Sequence, residues 1–181
     1  MALLTLTQQQ QHKPISPNWA NYVKFAGGKT NFEQLQSEVE ESELKRLLGA
    51  AFLLDIQTNP TDAIYVDLLD GKIFENASGN NLKFNGLRYM LAFMNWSKHV
   101  SESHVADTFG GMVQKNRQES TPLTSGDIKR LQNDAREIAL QDFEIMKIYL
   151  NDNATIYPLW NCTTKRKLYT PKITGVKRTI L

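Results

Sequence analysis

Residues 85–100 read NGLRYMLAFMNWSKHV, and this stretch does most to decide the fold. Apolar residues recur in it at intervals of three and four, the period of an α-helix, at Leu87, Met90, Leu91 and Met94. Aromatic residues occupy an adjoining face, at Tyr89, Phe93 and Trp96. The pattern predicts a helix from Asn85 to about Val105 that is buried on more than one side.

A second long helix is predicted on the C-terminal side of the first. Thr124 or Ser125 would cap it, with Asp127 in its first turn. From Ile128 onward, helical spacing continues without glycine or proline, and the helix would run for about seven turns. Its predicted buried stripe comprises Ile128, Leu131, Ala135, Ile138, Ala139, Asp142, Phe143, Met146, Tyr149 and Leu150.

Helical spacing also extends upstream. Residues 32–48 have apolar side chains three to five positions apart, which predicts a helix with a break near Ser42. Asn31 is the predicted N-cap, because acidic residues crowd the turns that follow it. Gly49 would either end this segment or allow close packing.

The next segment is predicted to be a buried helix. Residues 51–56 are apolar enough for it, and Asn59-Pro60 would end it. Thr61 or Asp62 would then cap one more turn, which continues to Leu69.

Between the helical blocks the period changes. Short alternating segments at 72–75 and 81–84 flank Ser78-Gly79-Asn80, so a small β-hairpin is predicted at about 72–84. A loop is predicted from Asp107 to Pro122, and it contains Gly110-Gly111. Such a loop is either functional or simply mobile.

Charge is divided unevenly along the chain. Residues 1–30 carry three cations and residues 161–181 carry six, and neither segment has an acidic residue. Residues 31–160 carry twelve cations against all nineteen acids, a net charge of −7 within a total of +2. This asymmetry indicates a compact body with extensions that contact something else.

Both ends are predicted to be extended. Pro14 and Pro17 follow a glutamine tract in residues 1–18, which favours an extended arm. Trp19 and Tyr22 belong to an aromatic cluster that would anchor this arm to the body rather than form a ligand cage. The β-branched and aromatic residues of 161–181 suit a strand that pairs with a partner's sheet edge or lies in its groove.

No catalytic or metal site is predicted, and no cofactor. His99 and His104 are five residues apart, about 140° around a helix, which is unsuited to shared metal ligation. Cys162 has no histidine near it in sequence. Residues 27–30, Gly-Gly-Lys-Thr, lack the preceding glycine of a phosphate loop, and the acids of 38–43 are predicted to be a solvated run.

The composition suits one domain with extensions. No apolar run approaches the ~18–20 residues of a membrane span, and the start lacks the basic region of a signal peptide. A single cysteine suits a reducing compartment, so synthesis in the cytosol is expected. The predicted fold is mainly α: a helical bundle, residues 31–160, with a small β-hairpin insertion and extended N- and C-terminal arms, residues 1–30 and 161–181.

The order of motifs in the body resembles a known family. The motifs are Leu47-Leu48-Gly49, Asn85-Gly86-Leu87-Arg88-Tyr89-Met90-Leu91-Ala92, Asp107-Thr108-Phe109-Gly110-Gly111-Met112-Val113-Gln114-Lys115-Asn116, Ala135-Arg136 within the long helix, and Tyr157-Pro158-Leu159-Trp160. From Leu47 to Trp160 this order resembles the head–tail connector (adaptor, or head-completion) proteins of tailed bacteriophages, especially those of phages that infect Bacteroidetes hosts.

The resemblance implies a structural virion protein at the head–tail junction. Such proteins assemble as a ring of twelve copies beneath the portal protein, extend the DNA channel and contact a further neck or tail protein. DNA passes through the channel without sequence-specific binding, and no membrane is involved. The residues then expected to contact the portal or a neighbouring subunit are Lys165, Arg166, Lys167, Tyr169, Lys172, Lys177, Arg178, Trp19 and Tyr22. A second set, expected in a contact loop or at the channel, is Asp107, Phe109, Gly110, Gly111 and Lys115.

Two alternatives to a non-enzymatic connector remain open. A nucleic-acid-binding helical protein would use the cations of the tail to neutralise phosphates, although no helix carries a basic stripe. A cytosolic enzyme would need a site that no motif reveals.

Overall fold

A computed structural model of the chain describes residues 3–23, 28–103, 105–108, 111–114 and 124–160. The protein is mainly α-helical, as predicted, and its described residues form two small antiparallel hairpins, of which only the first was predicted. The helices are α1 (Leu6–His12), α2 (Pro17–Ala20), α3 (Asn31–Val39), a π-helix (Glu40–Leu44), α4 (Lys45–Leu48), α5 (Ala50–Thr58), α6 (Ala63–Asp70), α7 (Leu87–Ser103) and α8 (Ser125–Asp152). The strands are β1 (Lys72–Glu75), β2 (Asn81–Phe84), β3 (Val105–Thr108) and β4 (Gly111–Gln114).

The two long predicted helices form the centre of the core. α7 and α8 pack against each other, and the Ser97 hydroxyl of α7 donates to the Gln132 carbonyl of α8 (2.9 Å). α8 has 28 residues, and its N-cap is Thr124 rather than Ser125. Most of the predicted apolar stripe is buried, but Ile128 and Leu131 are half-buried and Ile138 is exposed, and the aromatic face of α7 is half-buried. Hydrophobic periodicity therefore located both helices and the large apolar residues of their buried faces, but not the buried polar residues Asn95, Ser97 and His99 of α7.

The predicted hairpin at 72–84 is confirmed. β1 and β2 pair antiparallel, with Phe74 opposite Leu82. Phe74 and Phe84 turn to the same side and pack on Tyr149 of α8, with ring centroids 5.2 and 5.1 Å apart. The hairpin is thus fixed against the C-terminal half of the long helix.

Two glycines bring the hairpin's ends against neighbouring backbone. Gly71 follows α6 with φ +92°, and Gly86 precedes α7 with φ +95°, a region that favours glycine. A Cβ added to Gly86 would lie 2.4 Å from the Leu69 carbonyl oxygen and 2.6 Å from the Gly71 nitrogen. The Asn85-Gly86 motif is therefore required by backbone packing.

Gly86→Ala is expected to lower the free energy of unfolding by about 2–4 kcal/mol, because strain at positive φ adds to a clash with backbone that cannot move aside. Gly49→Ala is the matched control: Gly49 has φ +86°, but nothing lies within 4 Å of its added Cβ. The control should lose only the conformational part, about 1–2 kcal/mol. Chemical denaturation would measure both, and equal losses would contradict the close approach.

Asp142 joins α8 to the start of α7. Its carboxylate accepts the Asn85 backbone N–H (2.9 and 3.0 Å), the Asn85 side-chain amide (2.8 Å) and the Gly86 N–H. These donors lie at a helix N-terminus, where backbone N–H groups lack intrahelical partners and negative charge is favoured. Asp142 is itself buried, and burial raises its pKa above the ordinary value.

The predicted extended arm is wrong where the N-terminal segment forms helices, at residues 6–12 and 17–20. Residues 6–12 form α1, which Thr5 and Gln8 begin with a capping box. Gln9 is buried, and its amide donates to the carbonyls of Ala92 (3.0 Å) and Lys13 (2.7 Å). The glutamine tract is helical because one of its side chains bonds to α7, a long-range contact that composition does not encode.

The segment before α1 is part of the core. Leu3 and Leu4 are buried. The Leu3 N–H donates to Glu40 (3.3 Å), and the Leu3 carbonyl accepts from Arg88 (3.2 Å). The N-terminal segment therefore packs between the π-helix and α7 instead of extending from the body.

Smaller predictions also need correction. The N-cap of α3 is Thr30, not Asn31, since Thr30 and Glu33 form a capping box. Instead of a break near Ser42, the chain continues through the π-helix, in which the Lys45 N–H bonds to the Glu40 carbonyl. Asp62, one of the two candidates, caps α6.

The predicted loop at 107–122 is wrong at its start. β3 and β4 form a second antiparallel hairpin there, with Asp107 opposite Met112 and Thr108 opposite Gly111. α7 accordingly ends at Ser103, two residues before the predicted end. Residues 115–123 lie outside the described residues.

Candidate interaction surfaces

The two predicted N-terminal contact residues have different environments. Trp19 is half-buried, and its ring meets His99 of α7 edge-on, with centroids 4.2 Å apart. Its carbonyl also accepts from the Asn31 side chain (3.0 Å). Trp19 thus anchors α2 to the body, in line with the anchor interpretation. Tyr22 is 61% exposed and remains a predicted contact residue.

The other predicted site residues are only partly described. Asp107 lies in β3 and Gly111 in β4, so the hairpin brings these two close in the backbone. Phe109, Gly110 and Lys115 lie outside the described residues, as do all seven predicted residues of the tail. Their proposed contacts stay predictions.

A polar cleft of about 250 Å³ lies between the π-helix, α7 and α8. Glu43 accepts from Arg136 of α8 (2.9 and 3.1 Å) and from Arg46 (3.0 Å). Burial opposes ionisation of Glu43, but hydrogen bonds from the two arginines outweigh it and lower its pKa. Lys98, also in the cleft, bonds to Glu38. Because its charged side chains are paired with one another, the cleft reads as a structural junction.

The π-helix explains why these acids are not one solvated run, which corrects the sequence prediction. Glu40 is buried and accepts from Gln36 (2.7 Å), Gln57 (2.6 Å) and the Leu3 N–H (3.3 Å). A π-turn is wider than an α-turn and often marks a functional feature. Here it turns Glu40 into the core, where it joins α3, α5 and the N-terminal segment, while Glu43 lines the cleft.

A wider groove of about 580 Å³ lies between α6, β1 and the turns after α8. Three buried aromatic side chains form its floor: Phe74, Tyr149 and Tyr157. Ile64 and Ile156 also line it and are 41% and 48% exposed. We call this feature the α6–β1 groove.

Charged residues stand at the edge of the α6–β1 groove. Asp67 pairs with Lys72 (2.5 Å), while Glu75 has no cation within 4.0 Å among the described residues. Asp152 lies nearby, because it accepts from the Ala77 N–H of the same hairpin (3.4 Å). The groove combines an apolar floor with a net negative edge, which suits an extended peptide carrying apolar and basic side chains.

Sequence reasoning missed this groove. The run Ala63-Ile64-Tyr65-Val66 in α6 is apolar throughout, so its pattern does not show which side chains face solvent. Tyr157 fixes the geometry, because its hydroxyl donates to the Ile64 carbonyl (2.8 Å) across 93 residues. Only the folded chain brings these residues together.

Other kinds of site are not indicated. Among the residues whose side chains are described, no group of three or more His, Cys, Asp or Glu residues is arranged to hold a metal ion. In the described part of the chain, no helix has both the length and the apolar character needed to cross a membrane.

Comparison with known proteins assigns a family. The chain belongs to the DUF6712 family, a family of unknown function, whose model matches residues 44–170. No curated protein and no solved structure matches the chain. The matched range contains α4 to α8, the Asn85-Gly86 motif and the α6–β1 groove. α1 and Glu40 lie outside that range, although both pack into the same core.

Proposed function

We propose that this chain is a structural protein of the phage neck, forming a ring that joins the portal to the tail or the next neck protein and extends the DNA channel. The observation that carries the proposal is the division of charge between an acidic helical body and an acid-free end. Residues 161–181 have six cations and no acid, whereas residues 31–160 hold all nineteen acids.

The surface of the body supports the proposal. Among the described residues, several exposed carboxylates have no cation within 4.0 Å: Asp62, Glu75, Asp134, Glu137 and Asp152. Their charge is therefore not cancelled locally. A channel wall with such a surface repels phosphate and lets DNA pass without adhering.

The exposed face of α8 is the best candidate for that wall. Asp134 and Glu137 are three residues apart and share one side of the helix with Glu144, which pairs with Lys147 (2.5 Å). α8 is also the longest element, and a 28-residue helix spans about 42 Å. One copy could thus present acidic side chains along a substantial length of channel.

The acid-free tail supplies the other half of the proposal. Six cations without an acid favour contact with acidic surfaces such as the body of a neighbouring copy. A contact between two different surfaces of one protein is heterologous, and copies joined in this way form a ring when the rotation closes.

Electron microscopy of negatively stained protein would test the neck function. The purified chain, mixed with the portal protein of the same phage genome, is expected to form portal-bound rings with a central channel. A variant with glutamine at the six tail cations should lose ring or portal association. A matched control, Lys129→Gln with Arg130→Gln, removes two exposed cations from the start of α8 and should assemble normally. A chain that stays monomeric and binds neither the portal protein nor the tail proteins would overturn the proposal.

The nucleic-acid-binding alternative gives a different result in the same variants. If the tail binds phosphates, the six-glutamine variant should lose DNA affinity, and the affinity of the native chain should fall steeply with salt. A connector should bind duplex DNA weakly in both forms. Strong, tail-dependent DNA binding without rings would favour the alternative.

A further inference from the structure

The α6–β1 groove has an aromatic floor, two exposed isoleucine side chains and a net negative edge. Ile64 and Ile156 are 41% and 48% exposed beside the aromatic floor, so the groove holds apolar surface that a partner would remove from water. The occupant must bring apolar side chains for Ile64 and Ile156, and cations for Glu75.

We propose that the α6–β1 groove receives residues 161–181 of a second copy of this chain. This segment has the complementary chemistry, since it combines six cations with β-branched and aromatic residues and has no acid. Lys172 stands beside Ile173, and Val176 stands beside Lys177. In an extended segment adjacent side chains point to opposite sides, so Ile173 can enter the groove while Lys172 points to its edge.

The charge of both partners favours this pairing over contact with an arbitrary peptide. The segment carries six cations and no acid, so nothing in it is repelled by the carboxylates at the groove. Asp67, Glu75 and Asp152 outnumber Lys72, the one described cation lining the groove or bonded to its edge. Complementary charge of this kind mainly sets the choice and register of a partner.

The position of Trp160 favours a second copy over the same chain. Trp160 is held by Asn151, which accepts its indole N–H (2.9 Å), and by Phe143. Along α8, Asn151 lies about 160° and Phe143 about 120° around the helix from Tyr149, which lines the groove. The described chain therefore ends at Trp160 on a different side of α8 from Tyr149.

Docking of this kind joins two different surfaces, the tail of one copy and the groove of the next. The inference rests on the proposed function in that a head-to-tail contact is what a ring requires. It adds the acceptor surface to that proposal.

Photo-crosslinking in the full-length protein would test the groove. A benzophenone amino acid replaces Ile64 in chains mixed from isotopically heavy and light preparations, and mass spectrometry identifies the crosslinked peptides. We expect mixed heavy–light crosslinks to peptides within 161–181. The same label at Leu54, an exposed residue of α5 that does not line the groove, is the positional control and should give few of them.

A charge variant makes the test specific. Glu75→Lys reverses the charge at the edge and should lower the crosslink yield about fivefold, whereas Glu137→Lys, an equal change at an exposed position of α8, should not. Lys172→Glu with Lys177→Glu should restore part of the yield in the Glu75→Lys protein. Both glutamates are exposed, so unchanged melting temperatures would show that the fold is intact.

Other outcomes would overturn the inference. Crosslinks confined to one chain would show that the tail folds back on its own body, and crosslinks to other segments would assign the groove to another partner. Portal-bound rings without tail–groove crosslinks would contradict docking of the tail in the groove but support the neck function. Tail–groove crosslinks without any portal association would support the docking but contradict the neck function.

Discussion

Replacing Leu4 with alanine is expected to lower the free energy of unfolding by about 2–5 kcal/mol, the range for a leucine removed from a closed core. Leu4 is 1% exposed and belongs to the main hydrophobic cluster of the protein. Its backbone neighbour Leu3 is held on one side by Glu40 and on the other by Arg88, so the segment cannot easily shift to fill the cavity. Urea denaturation followed by circular dichroism would measure the loss.

Leu54→Ala is the matched control for Leu4→Ala. It removes the same atoms from a side chain that is 64% exposed, so its effect should stay within about 0.5 kcal/mol. Equal slopes of the urea transitions would show that both variants unfold from the same compact state. A Leu4→Ala protein as stable as the control would mean that residues 1–18 are an arm after all.

The two leucines show what the sequence alone could and could not predict. In α7 and α8, the apolar period runs long enough that burial follows directly from spacing, and both helices lie close to where they were predicted. Leu4 has no such period around it, and two prolines follow the glutamine tract. Its burial depends on α7 and the π-helix, which reach it from more than 30 residues away.

The sequence also did not predict the hydrogen-bond partners of the buried polar residues. Glu40 sits among three more glutamates in sequence, and Asp142 sits within an apolar stripe, so neither local pattern indicates its partners. Glu40 is stabilised by two glutamine amides and a backbone N–H, all from other segments or turns. A pattern of residue types can predict that a carboxylate is buried, but the donors that make burial tolerable are set by the tertiary structure.

The same distinction applies to the motifs that resemble the connectors. Asn85-Gly86 binds Asp142 and packs on Gly71, and Tyr157 and Trp160 close the aromatic cluster around Phe52. These residues specify the fold of the DUF6712 body. The proposed tail contacts lie outside these motifs, whereas Tyr157 also forms part of the floor of the α6–β1 groove.

Asp142→Ala is expected to be the most destabilising single change at a polar residue, at about 3–5 kcal/mol. The substitution leaves the Asn85 N–H, the Asn85 amide and the Gly86 N–H without their acceptor at the start of α7. It also loosens the close approach of the hairpin to α8, because Asn85 directly follows β2. Asp134→Ala, an exposed carboxylate on the same helix, is the matched control and should change stability by less than about 0.5 kcal/mol.

The pH dependence of the free energy of unfolding separates the effect of the Asp142 charge from the effect of its hydrogen-bond geometry. Burial raises the pKa of Asp142 above 3.8, so the folded protein binds this proton more tightly than the unfolded chain does. Its contribution to stability is then fully present below pH 3.8 and falls as the pH rises through the raised value. Asp142→Asn keeps one acceptor oxygen and cannot titrate. The stability difference between the native and Asp142→Asn proteins should therefore be larger at acidic than at neutral pH. A difference that grows toward neutral pH would show that the donors at Asn85 and Gly86 outweigh the cost of burying the carboxylate.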